Sequence, residues 1–217
     1  MRIIASLREE QIVEYVKARL LENGGEYSDN PFQGFRTRSE HCRRVMRWCE
    51  KIAENESDLA PDRDLLLMSA LFHDIGYNRQ GISHEDYGAK LFGEFADVHG
   101  LEKEFAGRVA NCIRNHSRKE CMSVLGKAGV ELQILMEADL LDEEGVMGIV
   151  ADCMTEGMRG KDCEGYSGAL KRMLHCASEI LEISPMTTPY AQKCWKEKQE
   201  EVIFFIERYR ASCFLEL

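Results

Sequence analysis

The segment Leu65-Leu66-Leu67-Met68-Ser69-Ala70-Leu71-Phe72-His73-Asp74-Ile75 constrains this chain most. It is apolar on nearly every side, which predicts a helix buried on most of its faces. It nevertheless ends in an imidazole beside a carboxylate. Both are costly to take out of water unless each meets a counter-charge or a metal ion. Asp62 is the expected N-cap and Gly76 the expected C′ residue.

The rest of the chain reads as helix. Apolar positions recur at helical spacing, and no run alternates with the period of a strand. Helices are expected over 3–23 (stopped by Gly24-Gly25), 38–56, 63–75, from a cap at Ser83 onward, and over 101–117, 129–142, 145–158, 166–183 and 189–214. This predicts an all-α, single-domain bundle spanning 1–217, with a core over 36–150. The N-terminal helix and the C-terminal helices over 160–217 pack on that core. The last two are expected to serve packing or a homo-oligomer.

Composition narrows the chemistry. With 217 residues, 44% of them apolar, the chain is long enough to bury a proper core. Its net charge of −10 argues against a partner that is a nucleic acid polymer, which needs a basic surface to displace counterions. A small phosphorylated ligand remains compatible, because local cations or a metal can outweigh the global field. Nine cysteines, an odd number with no CxxC pair, point to free thiols and a cytoplasmic location. No apolar run approaches membrane-spanning length, and the first residues do not read as a signal peptide.

Three more histidines end apolar stripes. His41 lies in line with Val45, Trp48, Cys49 and Ile52. His84 lies in line with Gly88, Leu91, Phe92 and Phe95. Phe105, Val109, Cys112 and Ile113 lead to His116. One such histidine is usually a hydrogen-bonded core residue; three, each at a stripe end, point to one rim of the bundle, where His73 and Asp74 also belong. Asp139, within Ile134–Leu141, is another carboxylate on an apolar helix. Asp142, on a neighbouring face, could support the ligands from behind, but a solvated or capping role is the expectation, and Glu137 is expected to be exposed. Two imidazoles with two carboxylates suit Mn, Fe, Co, Ni or Zn better than an all-oxygen Mg site.

The order His41, His73-Asp74, Asp139, each part on its own helix, resembles the HD-domain superfamily of metal-dependent phosphohydrolases. The resemblance runs over about residues 36–150 and includes Glu40–Val45, Ala70–Gly76, His84–Ala89, Ile113–His116 and Glu137–Asp142. It implies that His41, His73, Asp74 and Asp139 bind a divalent transition metal. It further implies catalytic roles for Asp74, His84 and His116, the two histidines contacting phosphate or holding a second metal. The implied substrate is a nucleotide or another small phosphoester. Two alternatives stay open: an HD-type di-iron oxygenase and a non-catalytic nucleotide-binding module. Gly76-Tyr77-Asn78 lacks the Gly-Tyr-Pro segment of cyclic-di-nucleotide phosphodiesterases. Arg43, Arg44, Arg79, Lys90 and Arg114 are the candidate phosphate-binding cations.

Overall fold

The computed structural model describes residues 7–27, 37–78, 80–126, 129–159, 168, 170, 173–175 and 184–213. Among the described residues the α-helices with defined bounds run in the order α1 (Glu9–Asn23), α2 (Arg38–Asn55), α3 (Arg63–Phe72), α4 (His84–Val98), α5 (Lys103–Asn115), α6 (Val130–Glu143), α7 (Val146–Arg159) and α8 (Pro189–Cys213). Short 3₁₀ turns cover Ser57–Leu59 and Lys119–Val124. Among the described residues there is no strand, only an isolated bridge between Tyr27 and Thr37. The fold is all-α, as its periodicity predicts. Most of the helix expected over 166–183 lies outside the described residues.

Local chemistry sets the helix ends. Gly24 closes α1 in the left-handed conformation, at φ 74°, where a side chain would be strained. The Asp62 carboxylate accepts from Leu65 N to cap α3, and Ser83 Oγ accepts from Asp86 N to cap α4. Glu102 accepts from the amides of Glu104 and Phe105 at the start of α5.

Helix α3 is the central element, with Leu65, Leu66, Met68, Ala70, Leu71 and Phe72 all buried. It is flanked by α1, α2, α5 and α6, and α4 packs along α5. Phe72 meets Phe92 edge-on at 5.0 Å and Phe95 at 4.9 Å, while Tyr15 of α1 closes on Phe95 at 4.9 Å. This aromatic cluster locks α3 to α1 and α4 immediately before the His73-Asp74 pair; truncating Phe72 would cost about 3–5 kcal/mol. A smaller cluster joins Ile149 of α7 to Val202 and Ile206 of α8, with Leu170 and Met173.

Two expectations are corrected here. The helix ends at Phe72 rather than Ile75: Ile75 N bonds to Phe72 O and Tyr77 N to Asp74 O, so the chain leaves in tight turns. Gly76 is also not a left-handed C′ residue, being absent from the positive-φ positions. It is required by proximity instead. A Cβ there would lie 2.1 Å from the carbonyl oxygen of His84 and 2.4 Å from the nitrogen of Gly88. Glycine lets the turn after Asp74 touch the first turn of α4, which brings His84 to the pair.

Candidate metal centre

Six side chains from five parts of the chain meet at one end of α3. His41 comes from the first turn of α2, His73 and Asp74 from the end of α3, and His84 from the start of α4. His116 follows the last residue of α5, and Asp139 lies on α6. His41, His73, Asp74 and His116 are buried. His41 Nε2 lies 3.3 Å from His73 Nε2, 3.1 Å from Asp139 Oδ1 and 3.7 Å from Asp74 Oδ2. On the other side, Asp74 Oδ1 lies 3.3 Å from His116 Nε2 and 3.7 Å from His84 Nε2. His73 Nε2 lies 3.6 Å from that same Asp74 Oδ1 and 3.7 Å from Asp139 Oδ1, so it is shared between a His41–His73–Asp139 group and a His73–Asp74–His116 group.

The imidazole tautomers follow from their outer partners. His73 Nδ1 donates to Ala70 O, and His116 Nδ1 to Ile113 O, each at 2.8 Å. A carbonyl only accepts, so each Nδ1 carries the proton and each neutral ring turns a lone pair on Nε2 inward. His41 Nδ1 donates to Asp142 Oδ2 at 2.8 Å, which leaves Nε2 as the atom that faces the cluster. Two Nε2 atoms 3.3 Å apart with a carboxylate oxygen beside them require positive charge between them. A divalent ion supplies it, and so does a proton on His41.

The ionisation states match this crowding. Burial alone would lower His41, but its hydrogen bonds to the Asp139 and Asp142 carboxylates outweigh it and push the ring up to about 10. Burial pushes His73 down to about 4. Burial would raise Asp74, yet His73, the bond from His116 and the Arg38 charge hold its carboxyl well below the usual range. Asp139 is likewise lowered against its burial by His41 and Lys119.

The histidines, Asp74 and Asp139 all carry signals in the sequence. Two partners, Arg38 and Lys119, do not, and Arg44, a phosphate-binding candidate from the sequence, holds a carboxylate instead. Arg38 donates to Asp74 Oδ2 at 2.6 Å with its guanidinium stacked 3.4 Å from the Tyr77 ring centroid. Lys119 donates to Asp139 Oδ2 at 2.5 Å. Arg44 clamps Asp142 with two bonds of 2.8 and 2.9 Å. Asp142 is therefore neither solvated nor a cap: it is buried and orients His41. Its place three residues after Asp139 on an apolar helix was the available signal. Of the other cations named from sequence, Arg43 faces Glu9, Lys90 faces Glu94 and Arg114 faces Asp86; Arg79 lies outside the described residues.

Glu137 is also corrected. It is fully buried and takes four bonds, from the amides and hydroxyls of Thr187 and Thr188, at 2.6–2.8 Å. It ties the entry to α8 onto the helix that carries Asp139.

The HD domain family matches residues 38–144, which contain all six side chains. The chain belongs to the HD-domain family. HD domains bind divalent metals, and among the described residues two His/Asp groups could hold an ion: His41, His73 and Asp139, and His73, Asp74 and His116. The donor set fits, since the inward Nε2 lone pairs and ionised carboxylates are the borderline ligands such ions prefer.

Solved structures share the HD fold over nearly the whole chain. An HD-superfamily hydrolase from Bacillus thuringiensis aligns with a TM-score of 0.69 at 20% identity, covering 95% of this chain and 97% of that one. Bacillus subtilis YpgQ in complex with ADP aligns at 0.65 and 22% identity, covering 98% and 97%. At these identities the likeness is one of fold. Among curated proteins, the bifunctional uridylyltransferase/uridylyl-removing enzyme of Haemophilus influenzae is 35% identical over 91 residues, which is 37% of this chain and 10% of that protein. The Vibrio cholerae counterpart is 43% identical over 54 residues, 25% of this chain and 6% of its own length. This HD chain therefore spans a tenth or less of the curated relatives it matches. No described helix is long and apolar enough to cross a membrane.

Proposed function

We propose that this chain is a metal-dependent phosphohydrolase acting on a nucleotide or another small phosphoester. The observation that carries the reading is charge pairing around the cluster. Asp74, Asp139 and Asp142 each already hold a cation, namely Arg38, Lys119 and Arg44. A divalent ion would therefore add positive charge that these three carboxylates are not free to absorb, which favours an anionic substrate such as a phosphoester.

His41, His73, Asp74 and Asp139 would hold the ion. When bound, a divalent transition metal lowers the pKa of water and draws charge from a phosphoryl oxygen. The protein's own groups do the rest. Asp142, Ala70 O and Ile113 O fix the imidazole tautomers, so that Nε2 faces inward on His41, His73 and His116. His84 and His116 face Asp74 Oδ1; His84, and His116 as the imidazolium that the Asp74 carboxylate favours, would donate to substrate oxygens. Ser117 Oγ stands 3.3 Å from His116 Nε2 and 3.5 Å from His84 Nε2, marking where a polar oxygen fits between them.

Nucleotide chemistry finds support in the relatives, one named for removing a uridylyl group and another crystallised with ADP. The test is a screen of nucleotides and phosphomonoesters with Mn, Fe, Co, Ni or Zn supplied. Release of phosphate or pyrophosphate that stops on chelation, returns with one cation and is lost in His73→Ala supports the reading. No turnover with any cation contradicts it.

One observation favours a second reading, an HD-type di-iron oxygenase. Asp74 turns Oδ1 toward His73, His84 and His116 and Oδ2 toward His41, so its two oxygens face different histidines and the six side chains could supply ligands to two ions. Iron near two per chain with oxygen consumption would support it; one ion per chain would count against it.

A further inference from the structure

The three cations that face the cluster's carboxylates are not equivalent. Arg44 spends Nε and one terminal nitrogen on both oxygens of Asp142. Arg38 is fixed by its bond to Asp74 and by its stack on Tyr77, with its side chain only 17% exposed. Both are planar forks locked into one geometry. Lys119 differs in freedom rather than in exposure. Its ammonium makes one bond, to Asp139 Oδ2, and its side chain is 25% exposed, between Arg38 and the 36% of Arg44. An ammonium carries three donors on a flexible stem, so donors remain after the bond to Asp139.

Its position is equally specific. Lys119 opens the 3₁₀ turn that follows His116, two residues after Ser117, whose hydroxyl lies between His84 and His116. Asp139 directs Oδ1 to His41 Nε2 at 3.1 Å and Oδ2 to Lys119. Lys119 therefore sits on the side of Asp139 away from His41, partly open to solvent, at an edge of the cluster that a ligand can reach.

From this geometry we infer that Lys119 is a substrate-binding residue: keeping its bond to Asp139, it donates a charge-assisted hydrogen bond to a phosphoryl oxygen of the ligand. The inference rests on the phosphohydrolase reading and adds the residue that selects an anionic group over a neutral one. Such bonds between an ammonium and phosphate are short and about twice as strong as neutral ones.

The probe is inorganic phosphate, whose binding to the Mn²⁺-loaded full chain is measured by calorimetry, so no turnover is needed. The parent is compared with Lys119→Gln and Lys119→Arg, with the Mn²⁺ affinity of each measured separately. Lys119→Gln is expected to weaken phosphate binding by about tenfold or more while Mn²⁺ affinity moves far less, and Lys119→Arg to restore much of the loss. A Gln variant that binds phosphate like the parent overturns the inference and leaves the phosphohydrolase reading standing. So does a loss confined to Mn²⁺ affinity, which would make Lys119 only a counter-ion of Asp139. A parent chain that binds Mn²⁺ but no phosphate also overturns it, and the separate turnover screen then judges the wider reading. Thermal melts of both variants establish that they are folded.

Discussion

His41 and Asp142, 101 residues apart in sequence, share a buried hydrogen bond of 2.8 Å from imidazole Nδ1 to carboxylate Oδ2. Asp139, one turn earlier on the same helix, faces the other nitrogen of that ring. Helix α6 thus grips His41 at both ends, and Arg44 in turn holds Asp142. Removing an outer partner of a ligating imidazole commonly costs 10–100-fold in metal affinity. Asp142→Asn should weaken Mn²⁺ binding by a factor in about that range, with much of the activity recovered at saturating metal. Unchanged affinity in a competition titration would show that the bond does not orient the ligand.

Metal binding should release a proton. With its pKa pushed up to about 10, His41 in chelator-stripped protein is protonated at pH 7, and it must be neutral to ligate. Calorimetric titration in buffers of different ionisation enthalpy should report about one proton released per ion at pH 7, fading as the pH rises through 10. The same raised pKa has a consequence for stability. The contribution of His41 to the stripped protein is fully present below about pH 6.5 and is lost as pH climbs through about 10. Heats that do not depend on the buffer would contradict this protonation state.

Glu137 should matter to stability and little to metal affinity. Its replacement by Ala leaves the amides and hydroxyls of Thr187 and Thr188 without their acceptor and frees the entry to α8. A loss of about 3 kcal/mol is expected from chemical denaturation, of the size typical for buried donors stripped of a charged acceptor. Mn²⁺ affinity of the folded variant should stay within a few-fold of the parent's.

Gly76→Ala tests the close approach of the turn to α4. The added methyl would overlap backbone atoms of His84 and Gly88, which cannot rotate away. We expect a loss of about 2 kcal/mol or more. Activity should fall even where the variant remains folded, because His84 is displaced from Asp74. A variant with parental stability and activity would show that the two segments separate freely.

The contrast between these residues marks what sequence reveals. Helical periodicity, the Asp62 and Ser83 caps and the meeting of the five ligand-type segments were legible, because each depends on local pattern or on a polar group stranded on an apolar stripe. Lys119 and Arg38 were not, since nothing in an isolated stretch says which distant carboxylate a surface-type cation will face. Asp142 and Glu137 were misread for a related reason. A carboxylate on an apolar helix announces that it needs a partner, but its partners, Arg44 and Thr187-Thr188, lie 98 and about 50 residues away. Gly76 was recognised as necessary for the wrong cause: conformational freedom was expected, and the contact with α4 becomes visible only once the helices are placed.

The central claim is that His41, His73, Asp74 and Asp139 surround one divalent ion. Crystals of the protein equilibrated with Mn²⁺ and measured for anomalous scattering test it most directly. A strong peak is expected within about 2.1–2.3 Å of His41 Nε2, His73 Nε2 and one oxygen from each of Asp74 and Asp139. A peak bound elsewhere, or none at saturating Mn²⁺ with these side chains in place, would contradict it.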